Sequence, residues 1–448
     1  MRIAHAAPLL APAFLGLGLT LAPVSQSAAE SLFDIYEQAR QSDPQFQQAI
    51  ADRRAREEAL PQARGQLRPD VSLTGGYNVT DTESDVNTPA GSNDQYRQLS
   101  YGVELRQSLY RYARAQGVDR ATAQVEQAKA EFAAAEQTLI VRVAERYFAV
   151  LDGRESVDAA RANLEAIQRQ LEQAEQRFEV GVVARTDVEE ARAQADLARA
   201  ELLQAEDDLA SQRERLRELT DRNPGALQAV REGVTLDRPS PDNPDAWREQ
   251  AQADNWQLTA ARFGAEAAME GVEVARGEGR SPRVDLVAGY SGSDFYGRSG
   301  RDSDSDQLQA GVEVTLPLYQ GGGINSSIRE AQFRYTEARE ALEETRRSVS
   351  RDAADAYRGT LTALERVRAL DQARTSTRAA LDATEAGFEV GTRTIVDVLN
   401  AQREVFNAER DFQQARHAYL VNTLRLRQAA GALSAEDLRE VNALLDNG

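Results

Sequence analysis

The sequence predicts a mainly α-helical chain in which long antiparallel coiled-coil hairpins carry four amphipathic β-strands, the whole built by internal duplication. Three observations carry this. First, the 448-residue chain repeats itself: RPDVSLTGGY at 68–77 returns as SPRVDLVAGY at 281–290, GVELRQSLY at 102–110 as GVEVTLPLY at 311–319, and FEVGVVARTDV at 178–188 as FEVGTRTIVDV at 388–398. The offsets of 213, 209 and 210 are nearly constant, so the two halves are collinear. Second, each half contains two short runs in which apolar and polar residues alternate. Third, each half ends in a very long stretch free of proline, with apolar residues three and four apart.

Taken in order, the N-terminus reads as a secretory signal over 1–29: Arg2 is basic, Ala6 to Pro23 is apolar, and Ser27-Ala28-Ala29 suits cleavage after Ala29. The first repeat then covers 30–245 and the second 246–448. Each opens with a helical segment, Phe33 to Arg64 and Ala246 to Arg276. Strands follow at about 71–80 and 96–106, and again at about 284–294 and 306–316. In the first, Val71, Leu73, Gly75, Tyr77 and Val79 face one way and Ser72, Thr74, Gly76, Asn78 and Thr80 the other. The connections 81–95 and 295–305, rich in Asp, Ser, Gly and Asn, read as solvent-facing loops.

Strands with one apolar and one polar face suit a membrane barrel around a wet lumen. A soluble sheet resting its apolar face on a helix would show the same alternation. No stretch beyond the signal approaches the ~20 apolar residues of a membrane helix. If the strands span a membrane, four cannot close around water, and open edges cannot face lipid. Several chains must then share one barrel, in a number the pattern does not set.

The helical hairpins run over about 111–220 and 324–432. Val157, Ala160, Leu164, Ile167, Leu171, Ala174 and Phe178 form a seam; Val188, Ala191, Ala195, Ala198, Leu202, Ala205, Leu209 and Leu216 form its partner. The second copy keeps the register from Val398 to Leu426. Gly181 and Gly391 end the descending helices in the left-handed cap that favours glycine, so each half closes in a tight turn far from the strands. Thr186-Asp187 and Thr394 to Asp397 both look like helix starts. Their acids either cap those helices or ring the end of an oligomeric tube, where repeated carboxylates set ion selectivity.

Composition removes several classes. A net charge of −19 repels nucleic acid. The cysteine count is zero, and the two histidines, His5 and His417, lie far apart, which leaves no thiol nucleophile and little basis for zinc or a triad. Gln320 to Ser327 is glycine-rich but lacks a phosphate-loop lysine, and the 302–306 DSDSD run lacks calcium-loop spacing. Neither enzyme chemistry nor a cofactor is indicated. Arginine supplies every basic residue except Lys129, which carries no functional meaning.

Several stretches together are similar to the TolC family of outer-membrane efflux and secretion ducts. They are Asp34 to Ala39 with Ser42-Asp43-Pro44, Gln176 to Gly181, Thr186-Asp187-Val188, Ala191 to Gln194, Leu318 to Gly322 and Gly391 to Leu399. The resemblance covers essentially the whole chain after the signal. It implies a homotrimer giving four strands per chain to a twelve-stranded barrel in outer-membrane lipid, with a helical tunnel, or α-barrel, through the periplasm below. It also implies docking to an inner-membrane transporter through a periplasmic adaptor protein, with drugs or secreted polypeptides as cargo. By position, Asp187, Thr186, Gln170, Glu385 and Arg393 match the network that holds the tips shut, and Asp397 matches an acidic ring at the entrance. Two positions depart: Phe388 stands where relatives have a tyrosine in that network, and Asn400 where they have a second ring aspartate. With no cysteine, the lipid anchor of some relatives is excluded. The competing function is a periplasmic coiled-coil adaptor or scaffold, which would interrupt a globular domain with one hairpin rather than alternate two hairpins with two strand pairs.

Overall fold

The computed structural model describes residues 29–82, 94–298 and 301–446. The signal segment, apart from Ala29, and most of the 81–95 connection lie outside the described residues.

Local chemistry subdivides each helical opening. The first becomes α1 (Leu32–Ser42), α2 (Pro44–Glu57) and α3 (Ala59–Gly65) rather than a single helix. Asp43 is the cause: its carboxylate accepts from the amides of Gln45 and Phe46 and so starts α2, with Pro44 at the position where a missing N–H costs nothing. Asn255 acts likewise, accepting from Gln257 and Leu258 and dividing the second opening into α6 (Pro244–Asp254) and α7 (Trp256–Arg280).

The strands β1 (Asp70–Thr82), β2 (Asp94–Arg111), β3 (Arg283–Arg298) and β4 (Arg301–Thr315) form one antiparallel sheet in that order. Pairing of β2 with β3 joins the two repeats. The register sorts the faces: Leu73, Val103, Tyr290 and Leu308 share one row, and Thr74, Gly102, Ser291 and Gln307 the next, on the opposite side. Leu73 and Leu308, on the two edge strands, are 80% and 83% exposed. Among the described residues, the apolar face therefore rests on no helix of its own chain. The expected 295–305 loop is corrected to strand over most of its length, with Asp294 opposite Asp304 and Phe295 opposite Ser303. Ladder hydrogen bonds use the backbone alone, and the Ser293 and Ser305 hydroxyls add a bond of 2.9 Å, so polar composition did not end the hairpin.

Below the sheet, α4 (Tyr112–Glu179) runs unbroken for 68 residues, about 100 Å at 1.5 Å per residue. It packs against α7 near the sheet and, further down, against α5 (Arg185–Thr220) and α9 (Ile395–Ala429). The other long helix, α8 (Gly323–Glu389), packs on α6 and α7 above and α9 below. The seam residues Val157, Ile167, Ala174, Val188, Ala191, Ala198, Leu209 and Leu216 are buried, as are Val398, Ala408, Ala415 and Leu426. Phe178 is a correction: it is 43% exposed, because the chain turns just beyond it and leaves it little partner helix to meet.

The largest core lies at mid-height, around Leu139 to Leu151 of α4. Against it pack α1, Leu216, Leu364, Leu424 and α10 (Ala435–Asn442), the last unassigned by periodicity. The irregular 221–243 segment is bound there by bridges from Glu30 to Leu227 and from Val230 to Leu445. The Tyr147 hydroxyl donates to the carbonyls of Glu30 (3.1 Å) and Gln228 (2.8 Å), and burial pushes its pKa well up. His417 meets Asp152 at 2.6 Å and stacks on Phe148, tying α9 to α4.

Gly431, just past α9, has φ of +77° and leaves no room for a side chain, since a Cβ would stand 2.3 Å from the Asp254 carbonyl oxygen. Gly431→Ala should therefore destabilise by at least about 2 kcal/mol. Gly271→Ala, inside α7 with nothing within 4 Å, should be neutral or slightly stabilising. Thermal unfolding of the detergent-solubilised protein followed by circular dichroism separates the two.

Candidate functional site

The residues singled out by sequence converge on the two turns at the far end of the hairpins. Gly181 (φ +77°) and Gly391 (φ +78°) make these turns. In the first, the amides of Gly181 and Val182 donate to the carbonyls of Phe178 and Arg177, both at 2.9 Å. In the second, the Gly391 amide donates to Phe388, and the Gly387 carbonyl accepts from the Thr392 amide (2.8 Å), the Thr392 hydroxyl (3.0 Å) and the Arg393 amide (3.2 Å). A Cβ on Gly387 would lie 2.8 Å from Arg393 Cγ, so the absence of a side chain lets the arginine stem cross the turn.

The two repeats differ where the ascending helices start. Thr394 caps α9 and forms a complete capping box with Asp397: the Asp397 amide donates to the threonine hydroxyl (3.3 Å), and Asp397 Oδ2 accepts from the Thr394 amide and hydroxyl, both at 2.9 Å. These bonds, the backbone one first, hold the Asp397 carboxyl below its ordinary value, with help from Arg393. The capping role of Asp397 is thus real, and one of its oxygens is engaged in it. In the first repeat the expected cap at Thr186 is a correction: Ala184 is the N-cap and has no side-chain bond, while Thr186 lies in the first turn and its hydroxyl meets Asp187 at 3.5 Å.

Side chains from all four helices meet above the turns. Ile167 (α4), Ala198 (α5), Ile395 and Leu399 (α9) form a small core, against which Phe388 (α8) packs. The Arg177 guanidinium stands over the Phe388 ring, 5.1 Å from its centroid. Glu385 accepts from Gln402 Nε2 at 3.5 Å. Gln170 Oε1 and Gln402 Oε1 are buried without partners. Asn400 is exposed and accepts from Arg403 at 3.0 Å. Among the described residues, Arg393 pairs with no carboxylate and Asp187 with no cation, so no ion pair within the protomer joins them. Ion pairs across each hairpin, Arg192 with Glu175 at 3.0 Å and Arg374 with Glu409 at 3.2 Å, are solvent-exposed and contribute little. At the rim, Val180, Val182 and Val390 are at least 70% exposed. Sequence reasoning missed Arg177 and Gln402; both lie one turn or less from residues it named, but which face they take follows only from how the hairpins pack.

Comparisons with known proteins agree with the duplicated fold. The family model described as "Outer membrane efflux protein" matches twice, over residues 35–222 and 247–432. The outer membrane protein TolC of Vibrio cholerae is 38% identical over 423 residues, 93% of this chain and 94% of that one. The outer membrane protein TolC of Escherichia coli is 36% identical over 445 residues, 96% of this chain and 88% of that one. Among solved structures, the Campylobacter jejuni CmeC outer membrane channel superposes with a TM-score of 0.76 at 16% identity, over 98% of each chain, which establishes shared fold.

An Asp carboxyl depressed by its cap supports the helix start above its unfolded pKa, and that support disappears as pH falls through the depressed value. Thr394→Ala removes the box at every pH. Amides in the first turn of α9 should then exchange with solvent roughly fivefold faster at neutral pH, while those of α5 stay unchanged. Hydrogen exchange with mass spectrometry reads this directly.

Proposed function

The chain belongs to the outer membrane efflux protein family, and from that premise we propose how its parts divide the work of export. It is an outer-membrane channel of the kind that serves efflux and type I secretion, which replaces the adaptor alternative. Three chains place their four strands side by side in one twelve-stranded barrel. The helices extend the lumen through the periplasm as an α-barrel, and the hairpin tips form its closable end.

The observation that carries this reading is the sheet: apolar on one side, lined by Thr, Ser, Gly and Gln on the other, with both edge strands exposed. The helical wall has the same open margins, since much of α5 and α8 is exposed along one side. At the tips, Arg393 and Asp187 form no salt bridge in their own chain among the described residues, Thr186 meeting Asp187 only through its hydroxyl and Arg393 reaching Asp397 only through its field, which suits pairing between chains. Thr186, Gln170 and Glu385 belong to the same network, and Phe388 fills its tyrosine position with a ring that has no hydroxyl. The Asp397 ring, with Asn400 beside it, marks the entrance. Exposed Val180, Val182 and Val390 suit a partner that covers the tips, here a periplasmic adaptor that links the channel to an inner-membrane transporter. Drugs and secreted polypeptides both fit a wide polar lumen.

Two measurements test this. Asp187→Ala combined with Arg393→Ser should raise single-channel conductance in planar bilayers. Each lost pair is worth only about 0–1 kcal/mol, but it is repeated threefold around one constriction. Unchanged conductance would remove these residues from the closed end. Trivalent cations should block the parent modestly, because one carboxylate ring remains and capping occupies an oxygen of each. Block should strengthen in Asn400→Asp and disappear in Asp397→Asn; equal block of Asp397→Asn and parent would leave Asp397 a capping acid only.

A further inference from the structure

Arg177 and Phe388 make a direct contact of charge and ring between the ends of the two hairpins in a chain. Arg177 lies in the last turn of α4 and Phe388 in the last turn of α8, so their contact crosses from one repeat to the other at the tip. The separation of 5.1 Å from guanidinium carbon to ring centroid is within the range where the electron-rich ring face attracts a cation. The guanidinium has no carboxylate partner among the described residues, so the ring is its specific attachment. Phe388 in turn is anchored, packed on the core of Ile167, Ala198, Ile395 and Leu399. Its backbone carbonyl holds the Gly391 turn, and Arg177's carbonyl holds the Gly181 turn. Each side chain is thus fixed to the turn it would position.

We propose that Arg177 is a positioning residue of the closed end: its guanidinium, lying over the Phe388 ring, latches the second hairpin's turn to the first within each chain. The proposal rests on the reading of the tips as the closable end. It also accounts for the phenylalanine. A ring face suffices for the contact, so the hydroxyl missing at this position does not leave the tips unheld. Planarity matters to the contact, and arginine meets a ring face better than lysine does.

The test uses the full-length oligomer in planar bilayers, with the size of the detergent-solubilised oligomer in gel filtration as the check on folding. Arg177→Ala should raise open-state occupancy about two- to fivefold, the range of a partly exposed cation–ring contact. Phe388→Leu should match it, and the double variant should exceed neither single one, because both remove the same contact. Phe388→Tyr, which keeps the ring face, should raise occupancy less than Phe388→Leu. Parent-like behaviour of Arg177→Ala, or a double variant equal to the product of the singles, would overturn the latch. The Asp187→Ala, Arg393→Ser channel separates this from the underlying reading. If that channel opens while Arg177→Ala does not, the latch alone falls; if neither opens, the closed-end reading falls and takes the latch with it.

Discussion

Unpaired backbone groups cost several kcal/mol each in hydrocarbon, and β1 and β4 are two sheet edges that carry whole rows of them. This constraint governs the rest of the molecule. The apolar residues of the sheet stay exposed as far as both edges, and no helix among the described residues covers them. In the proposed trimer, neighbouring chains supply the missing pairing. Once strands close into a ring, the helices are committed to one as well. Arg111 ends β2 and Tyr112 begins α4 with no residue between them, so the position of each strand sets the position of a 68-residue helix.

Duplication builds this object economically but leaves unequal halves, and the differences fall at the strand–helix link and at the starts of the ascending helices. The second strand pair reaches its helix through a seven-residue link that ends in Gly321 and Gly322, both with positive φ, whereas the first has no link. The α9 start carries a full capping box, whereas α5 starts at an uncapped alanine. Arg393 crosses its own turn over Gly387. The proposed gate divides evenly, with Gln170, Thr186 and Asp187 on the first hairpin and Glu385, Phe388 and Arg393 on the second, while the entrance residues Asp397 and Asn400 both lie on the second. Such a construction suits two discrete tip arrangements better than gradual deformation.

Much of this is legible in the sequence alone. Alternation of Val71 to Thr80 gave the sheet's two faces, because period two is set by the pleat alone. The alanine-rich seams and Gly181 gave the hairpins, because helix spacing and left-handed caps are local. What escaped depended on tertiary context. The breaks at Asp43 and Asn255 are side-chain caps inside otherwise continuous helical text. The 295–305 extension is strand despite its aspartates, since pairing with a neighbour overrides composition. Segment 221–243 has no periodicity, and its place against Tyr147 follows from packing across the chain. At the tips, the named residues were recovered as neighbours of the turns, but the Thr186 cap failed because Ala184 takes that place. The partner of Phe388 could not be read from either hairpin separately.

The central claim is that β1 of one chain pairs with β4 of the next, and the absence of cysteine makes it directly measurable. Single cysteines introduced along β1, at Ser72, Thr74 and Gly76, can be combined in one chain with single cysteines along β4, at Ser305, Gln307 and Gln309. After oxidation in intact outer membranes, the account predicts disulfides between chains at one register, which convert the denatured monomer band into linked species of up to three chains. Non-reducing gels showing monomer at every combination, with the thiols reactive and unpaired, would contradict it.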